Sequence, residues 1–161
     1  MNFYKKEDIE KIIGRSAKIL GVAIEKEAIP VIAERSRFTP RIANRFLKRT
    51  RDYAEVRGKG IITNELAKKA LELLEIDQKG LDSLDRNVLD TIIGKFGGGP
   101  VGLTTIAASV REEEDTIEEI SEPYLMQLGF LERTPRGRCA TAKAYEHLGI
   151  TSPKNEQRKL I

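Results

Sequence analysis

Phe130-Leu131-Glu132-Arg133-Thr134-Pro135-Arg136-Gly137-Arg138-Cys139-Ala140 decides the fold of the second half of this chain. Phe130 to Arg133 reads as a strand and Arg138 to Ala140 as its return. Thr134-Pro135-Arg136-Gly137 between them reads as a tight turn, with a preset φ at the proline and a permissive glycine. Working backward, Gly129 stops a helix that opens at Asp115 or Thr116 and turns Ile117, Ile120, Leu125 and Leu128 inward. Pro123 inside that helix is a kink point that would split it into two shorter segments. Leu103 to Val110 gives a short helix before it. Asp82 or Ser83 caps a longer one carrying Leu84, Val88, Leu89, Ile92, Ile93 and Phe96, ended by Gly97-Gly98-Gly99-Pro100. Working forward, a last helix runs from Thr141 to about His147, and residues 151–161 read as a polar, disordered tail. Helix, helix, helix and hairpin is the order of a winged-helix domain.

The first half is helical throughout. Glu7 to Leu20 places Ile9, Ile12, Ile13, Ala17 and Leu20 on one face, and Gly21 closes it. Lys26 to Arg35 repeats the pattern with Ile29, Ile32 and Ala33, with Pro30 in its first turn. From Thr39 to Val56 the buried stripe is Ile42, Ala43, Phe46, Leu47, Tyr53 and Ala54, and Arg41, Arg45, Lys48 and Arg49 take the opposite face. After Gly58-Lys59-Gly60, Ile61-Ile62-Thr63 reads as a short extended piece, with Thr63 capping a helix to Leu74. Four helices in roughly 75 residues suffice for a small self-contained core. The chain divides near Asp77–Asp82.

The 161 residues are 33% charged and 40% hydrophobic, ordinary for a globular protein. No apolar run reaches membrane-spanning length, and the first residues form no signal-peptide core. Cys139 is the one cysteine, so there is no intrachain disulfide and no cysteine-based zinc site. His147 is the one histidine and reads as a surface or half-buried helix residue. These features fit a reduced, cytoplasmic protein. The net charge of +3 is unevenly spread. Residues 1–57 hold 14 basic against 8 acidic side chains, 82–132 hold 3 against 11, and 133–161 hold 7 against 2. Blocks of opposite sign imply surfaces with different partners, or one part docking on another.

Catalytic chemistry is scarce. No Gly-x-x-x-x-Gly-Lys-Ser/Thr loop occurs, and Gly97-Gly98-Gly99-Pro100 follows a helix and lacks the lysine, so it is a connector. The run Glu112-Glu113-Glu114-Asp115 reads as an acidic helix start rather than a metal site. One cation is out of place. Thr39 is a good N-cap and Pro40 suits the first helical position, yet Arg41 then sets a permanent charge against the positive end of the helix dipole. Either an intradomain carboxylate pairs with it or an external anion does, and a helix N-terminus suits phosphate.

For nucleic acid, the sign of each surface matters. A recognition helix in a DNA groove needs cations or neutral donors. Here the third helix of the second half is expected to expose Asp115, Glu118, Glu119 and Glu122, which repel phosphate. The hairpin carries Arg133, Arg136 and Arg138. DNA contact, if made, would run through the wing to phosphates or a minor groove. The alternative is a protein-interaction module whose hairpin arginines are merely solvated.

At this point three long motifs carry a resemblance. They are Arg37-Phe38-Thr39-Pro40-Arg41-Ile42-Ala43-Asn44-Arg45, Lys95-Phe96-Gly97-Gly98-Gly99-Pro100-Val101-Gly102-Leu103 and Gly129 to Arg138. In that order they resemble the RuvB family, bacterial AAA+ ATPases that drive Holliday-junction branch migration in recombination and repair. The likeness runs from about Phe3 to Ile150. It implies a mainly α chain, with a four-helix AAA+ lid domain at 1–77 and a winged-helix DNA-binding domain with a small β-hairpin wing at 78–150. It implies that Arg41 matches the sensor-2 arginine that reaches the nucleotide phosphates, and that Tyr4 matches an aromatic contacting the nucleotide. Arg133 and Arg138 match DNA-contacting wing positions, with Arg136 between them. The cofactor implied is ATP or ADP with Mg in the complete motor. The partners implied are duplex DNA of Holliday junctions, a homo-hexameric ring, the junction-binding protein RuvA and the large ATPase domain expected before Phe3. Phe38 stands where the family usually has glycine, and Glu114 where it usually has arginine.

Two functions follow, from different classes. One is the lid and winged-helix part of a DNA motor, inactive as an ATPase by itself because Walker A and B are lacking. The other is a stand-alone winged-helix DNA-binding or adaptor protein.

Overall fold

The computed structural model describes residues 4–153. The expected tail beyond Pro153 lies outside the described residues, while Ser152 at its start is buried. The chain divides into two compact units after Asp82.

In the first unit α1 (Lys6–Leu20), α2 (Ala28–Glu34), α3 (Pro40–Arg57) and α4 (Asn64–Leu73) enclose one core. Their inward stripes supply Ile9, Ile13, Ile32, Phe46, Leu47 and Leu71, all nearly solvent-free. Burying such side chains at full depth contributes about 1.5–3 kcal/mol each, which is what drives the four stripes together. Gly21 ends α1 at φ 66°, donating its N–H back into the last turn, as a left-handed C-cap should. Thr63 caps α4, its Oγ1 accepting from Leu66 N at 3.1 Å. Two short strands lie beside the bundle. β1 (Ala23–Ile24) and β2 (Ile61–Ile62) pair in parallel, Ala23 with Ile61 and Ile24 with Ile62. The sequence marks β2 through its paired β-branched residues Ile61-Ile62 and leaves β1 unmarked.

Thr39 occupies the N-cap of α3 but does not cap it. Its hydroxyl donates backward to the Ser36 carbonyl at 3.0 Å and makes no cap hydrogen bond to the first-turn amides. The reason is the backbone before it: Arg37 and Phe38 both adopt left-handed φ, 54° and 55°, which folds the turn back toward Ser36. Arg37 secures that turn, donating from Nε to the Gly80 carbonyl at 3.0 Å and pairing with Asp82 at 3.4 Å. Asp77 Oδ1 accepts from the N–H groups of Lys79 and Leu81, both at 2.9 Å. The loop 77–82 is therefore fastened to the first unit.

The second unit runs α5 (Ser83–Phe96), α6 (Leu103–Val110), α7 (Glu114–Thr116), a π-helical turn (Ile117–Ser121), α8 (Glu122–Gln127), β3 (Leu131–Thr134), β4 (Gly137–Ala140) and α9 (Ala142–His147). β3 and β4 form the antiparallel hairpin, with Arg133 directly opposite Arg138. Val101 adds a bridge on the outer edge of β4, exchanging backbone bonds of 3.0 and 2.8 Å with Arg138. Thr141 Oγ1 donates to the Gly129 carbonyl at 2.5 Å and caps α9, which ties the base of the hairpin. His147 is half-buried and stacks on Phe130, centroids 5.0 Å apart.

The expected third helix needs correction. It is broken by a π turn that inserts one residue into a helical turn. One residue is about 100° of rotation, so everything after the insertion is re-phased. Ile120, expected inward, is 57% exposed. Glu122, expected outward, is buried.

Candidate functional site

The wing is built from an electrostatic conflict and its resolution. A two-residue turn, Pro135-Arg136, fixes the register that sets Arg133 across from Arg138. Like charges directly opposed on a hairpin destabilise it. Glu122 supplies the missing anion. Its carboxylate, 2% exposed, accepts from Arg138 Nε at 2.5 Å on Oε1 and from Arg133 at 3.0 Å on Oε2. The Arg133 guanidinium also donates to Glu118 at 3.2 Å, an exposed pair one helical turn earlier. The hydrogen bond to Glu122 raises Arg138 above the ordinary arginine range; burial opposes this, and the charges of Glu122, Glu118 and Glu114 reinforce it.

Arg133, Arg136 and Arg138 thus come together on one hairpin, but in different states. Arg138 is held below the surface, its side chain 15% exposed. Arg133 is shared between a buried and an exposed acid. Arg136 at the tip is exposed, and its guanidinium makes no hydrogen bond or ion pair among the described residues. All three line an open groove of about 370 Å³, together with Glu118, Gly137 and Gly102. Gly102 is the N-cap of α6, so the positive end of that helix faces the same groove. Glu118 and Glu122 were missed as site residues. The signal that could have found them is the hairpin itself, since two opposed arginines demand an acid nearby.

Glycines let this region close. A Cβ on Gly99 would lie 2.3 Å from the Arg138 carbonyl, and one on Gly137 2.6 Å from the Val101 carbonyl. Both glycines have positive φ, 92° and 137°.

In the first unit, Arg41 is the second residue of α3 and exposed. Among the described residues no carboxylate pairs with it. The Thr39 side chain does not accept from the first-turn amides beside it. Arg45, Lys48 and Arg49 continue the exposed basic face along α3, with Arg45 also over the Phe46 ring at 5.5 Å. Tyr4 precedes α1 and is 49% exposed, and no hydrogen bond or ring contact joins it to Arg41 among the described residues. Those residues contain no group of three or more His, Cys, Asp or Glu arranged for a metal ion. No described helix is long and apolar enough to cross a membrane.

Two family models match in succession. The RuvB AAA lid domain matches residues 4–77 and the RuvB C-terminal winged helix domain residues 78–149. The chain belongs to the RuvB family. It is 57% identical to the Holliday junction branch migration complex subunit RuvB of Dehalococcoides mccartyi, across 99% of this chain and 46% of that protein. To the RuvB of Acidothermus cellulolyticus it is 58% identical, across 95% of this chain and 42% of that one. The solved Thermotoga maritima RuvB Holliday junction branch migration motor superposes with a TM-score of 0.90 at 49% identity, covering 95% of this chain and 51% of that chain. The chain therefore spans about half the length of the RuvB proteins it matches, and the matching half is the lid and winged helix.

Proposed function

We propose that this chain is the lid and winged-helix part of an ATP-driven RuvB motor for Holliday-junction branch migration, with a lid at 1–77 and a DNA-binding winged helix at 78–150. The observation that carries the reading is the wing groove, where three arginines and a helix N-terminus converge within a RuvB winged helix. The wing grips duplex phosphates rather than reading bases, because arginines at a backbone groove sense charge and spacing only. Indifference to sequence suits a motor that must travel over any DNA. Weak contacts suffice when several copies act on one duplex, and a homo-hexameric ring working with RuvA would supply them.

In the lid, Arg41 is the residue that would reach the phosphates of ATP or ADP. An exposed arginine with no carboxylate partner among the described residues, beside first-turn amides that the Thr39 side chain does not cap, fits an anion. Tyr4 would flank the same nucleotide. Bound with Mg, the nucleotide supplies the phosphoryl-transfer energy that moves DNA. Arg41 contributes by holding the lid in a position that depends on whether the terminal phosphate is present.

Titration of this chain with duplexes of unrelated sequence tests the DNA reading. Binding should be independent of sequence, micromolar or poorer near physiological salt, and no steeper than roughly −3 in log affinity against log salt, for at most three phosphates. Arg133→Ala/Arg136→Ala should weaken it. Equal affinity in parent and variant would move the contact off the wing, and the basic face of α3 around Arg45 and Lys48 would be tested next.

A further inference from the structure

The groove that the wing offers to DNA already contains an anion from the chain itself. Glu118 lines it, and its carboxylate lies 3.2 Å from the Arg133 guanidinium, with both side chains nearly half exposed. Glu122 is different. It is buried, holds Arg138 and accepts from the same Arg133 Nη2 that donates to Glu118, and is inaccessible to a competing ligand. One arginine is therefore bound twice, by an acid that cannot leave and by one that can.

We propose that Glu118 occupies the position of a backbone phosphate on Arg133, and that the wing engages duplex DNA by exchanging this carboxylate for a phosphodiester while Glu122 keeps the guanidinium aimed at the groove. The inference rests on the wing reading of the previous subsection. Its logic is geometric and electrostatic. A carboxylate and a phosphodiester present the same kind of paired oxygens to a guanidinium, so one substitutes for the other without moving the arginine. Glu122 fixes that arginine from the protein side, which removes the ordering cost a free surface arginine would carry. The exchange also bears on salt dependence. A cation released from DNA by Arg133 is offset by one gathered around the freed Glu118, so Arg133 adds little to the salt slope. Arg138 is committed to Glu122. Arg136 alone contributes fully, and the parent slope should be near −1.

A double-mutant cycle between Glu118→Gln and Arg133→Ala tests the exchange, read as duplex affinity and salt slope on the full chain. Glutamine keeps the size of the side chain and removes its charge. Glu118→Gln should raise affinity roughly two- to five-fold at low salt, the range an exposed ion pair can withhold, and steepen the slope by about one unit. Both changes should vanish in the Arg133→Ala background. A gain of the same size in both backgrounds would mean that Glu118 merely repels DNA from a distance, and the exchange would be overturned. No gain from Glu118→Gln while Arg133→Ala weakens binding would leave the wing as the DNA site and discard the exchange. If neither Arg133→Ala nor Arg136→Ala alters binding, the wing reading fails and takes the exchange with it.

Discussion

Removing the Glu122 carboxylate would leave the half-buried Arg138 facing Arg133 with no anion between them. The arginines left behind are partly hydrated, so the loss is that of charged hydrogen bonds, about 1.5–3 kcal/mol, rather than of a fully buried unpaired charge. Glu122→Ala should lose about that much local stability in the second unit, seen as faster hydrogen exchange at the β3 and β4 amides. Glu118→Ala, which removes an exposed pair, should change it by less than about 1 kcal/mol. Similar exchange in the two variants would show that the wing does not depend on its buried acid. A second residue-scale test concerns Phe38, whose φ of 55° is one that glycine adopts freely and a side chain does not. Phe38→Gly should be more stable than Phe38→Ala by about 1 kcal/mol, since both lose the ring and only alanine keeps the strain. Thermal denaturation of the pair decides this, and an equal or reversed order would mean the turn is not strained. The glycine implied at this position by the resemblance is thus accounted for by the backbone, which no property of phenylalanine in the sequence reveals.

At the scale of elements, legibility followed signal length. α1, α3 and α6 lie within a residue or two of the expected bounds, because several apolar residues at helical spacing define each face. The hairpin is legible from its two short strand runs around Thr134-Pro135-Arg136-Gly137, though Thr134 and Gly137 pair within the strands and leave Pro135-Arg136 as the turn. The π turn was not, because its signature is one extra residue in a turn and Ile120 still fits the α-helical stripe it leaves. That miss reversed the expected exposure of Glu122 and hid the acid that organises the wing. The run Gly97-Gly98-Gly99-Pro100 was read as a connector and is one, but a tightly fitted one. Gly99→Ala would drive a methyl into the Arg138 carbonyl at a left-handed φ, so it should cost about 2–4 kcal/mol from clash and strain together. A melting shift confined to the second unit's signals would bear this out; an unchanged melt would show that the β4 edge can yield.

For the whole molecule, the prediction concerns what this chain lacks as much as what it has. Phosphoryl transfer needs phosphates cradled, Mg²⁺ held and the attacking water positioned, and the sequence contains no phosphate loop. Phosphate release by this chain with junction DNA should match the buffer blank, and turnover abolished by Arg41→Ala would overturn that expectation. In a chain joined to an ATPase core, Arg41→Ala should impair hydrolysis-coupled branch migration while leaving the lid folded, because the side chain is exposed and makes no ion pair among the described residues. Unchanged coupling there would return Arg41 to an ordinary surface cation. By itself the sequence determined the helical faces, the hairpin and the family, since periodicity, turn chemistry and collinear motifs are written in residue order. Only the tertiary structure decided that Arg133 and Arg138 of the wing are held by Glu118 and Glu122, and that Thr39 turns its hydroxyl away from the helix it precedes. Those outcomes depend on helical phase and on left-handed backbone, which arise when distant segments pack and leave no mark on local spacing.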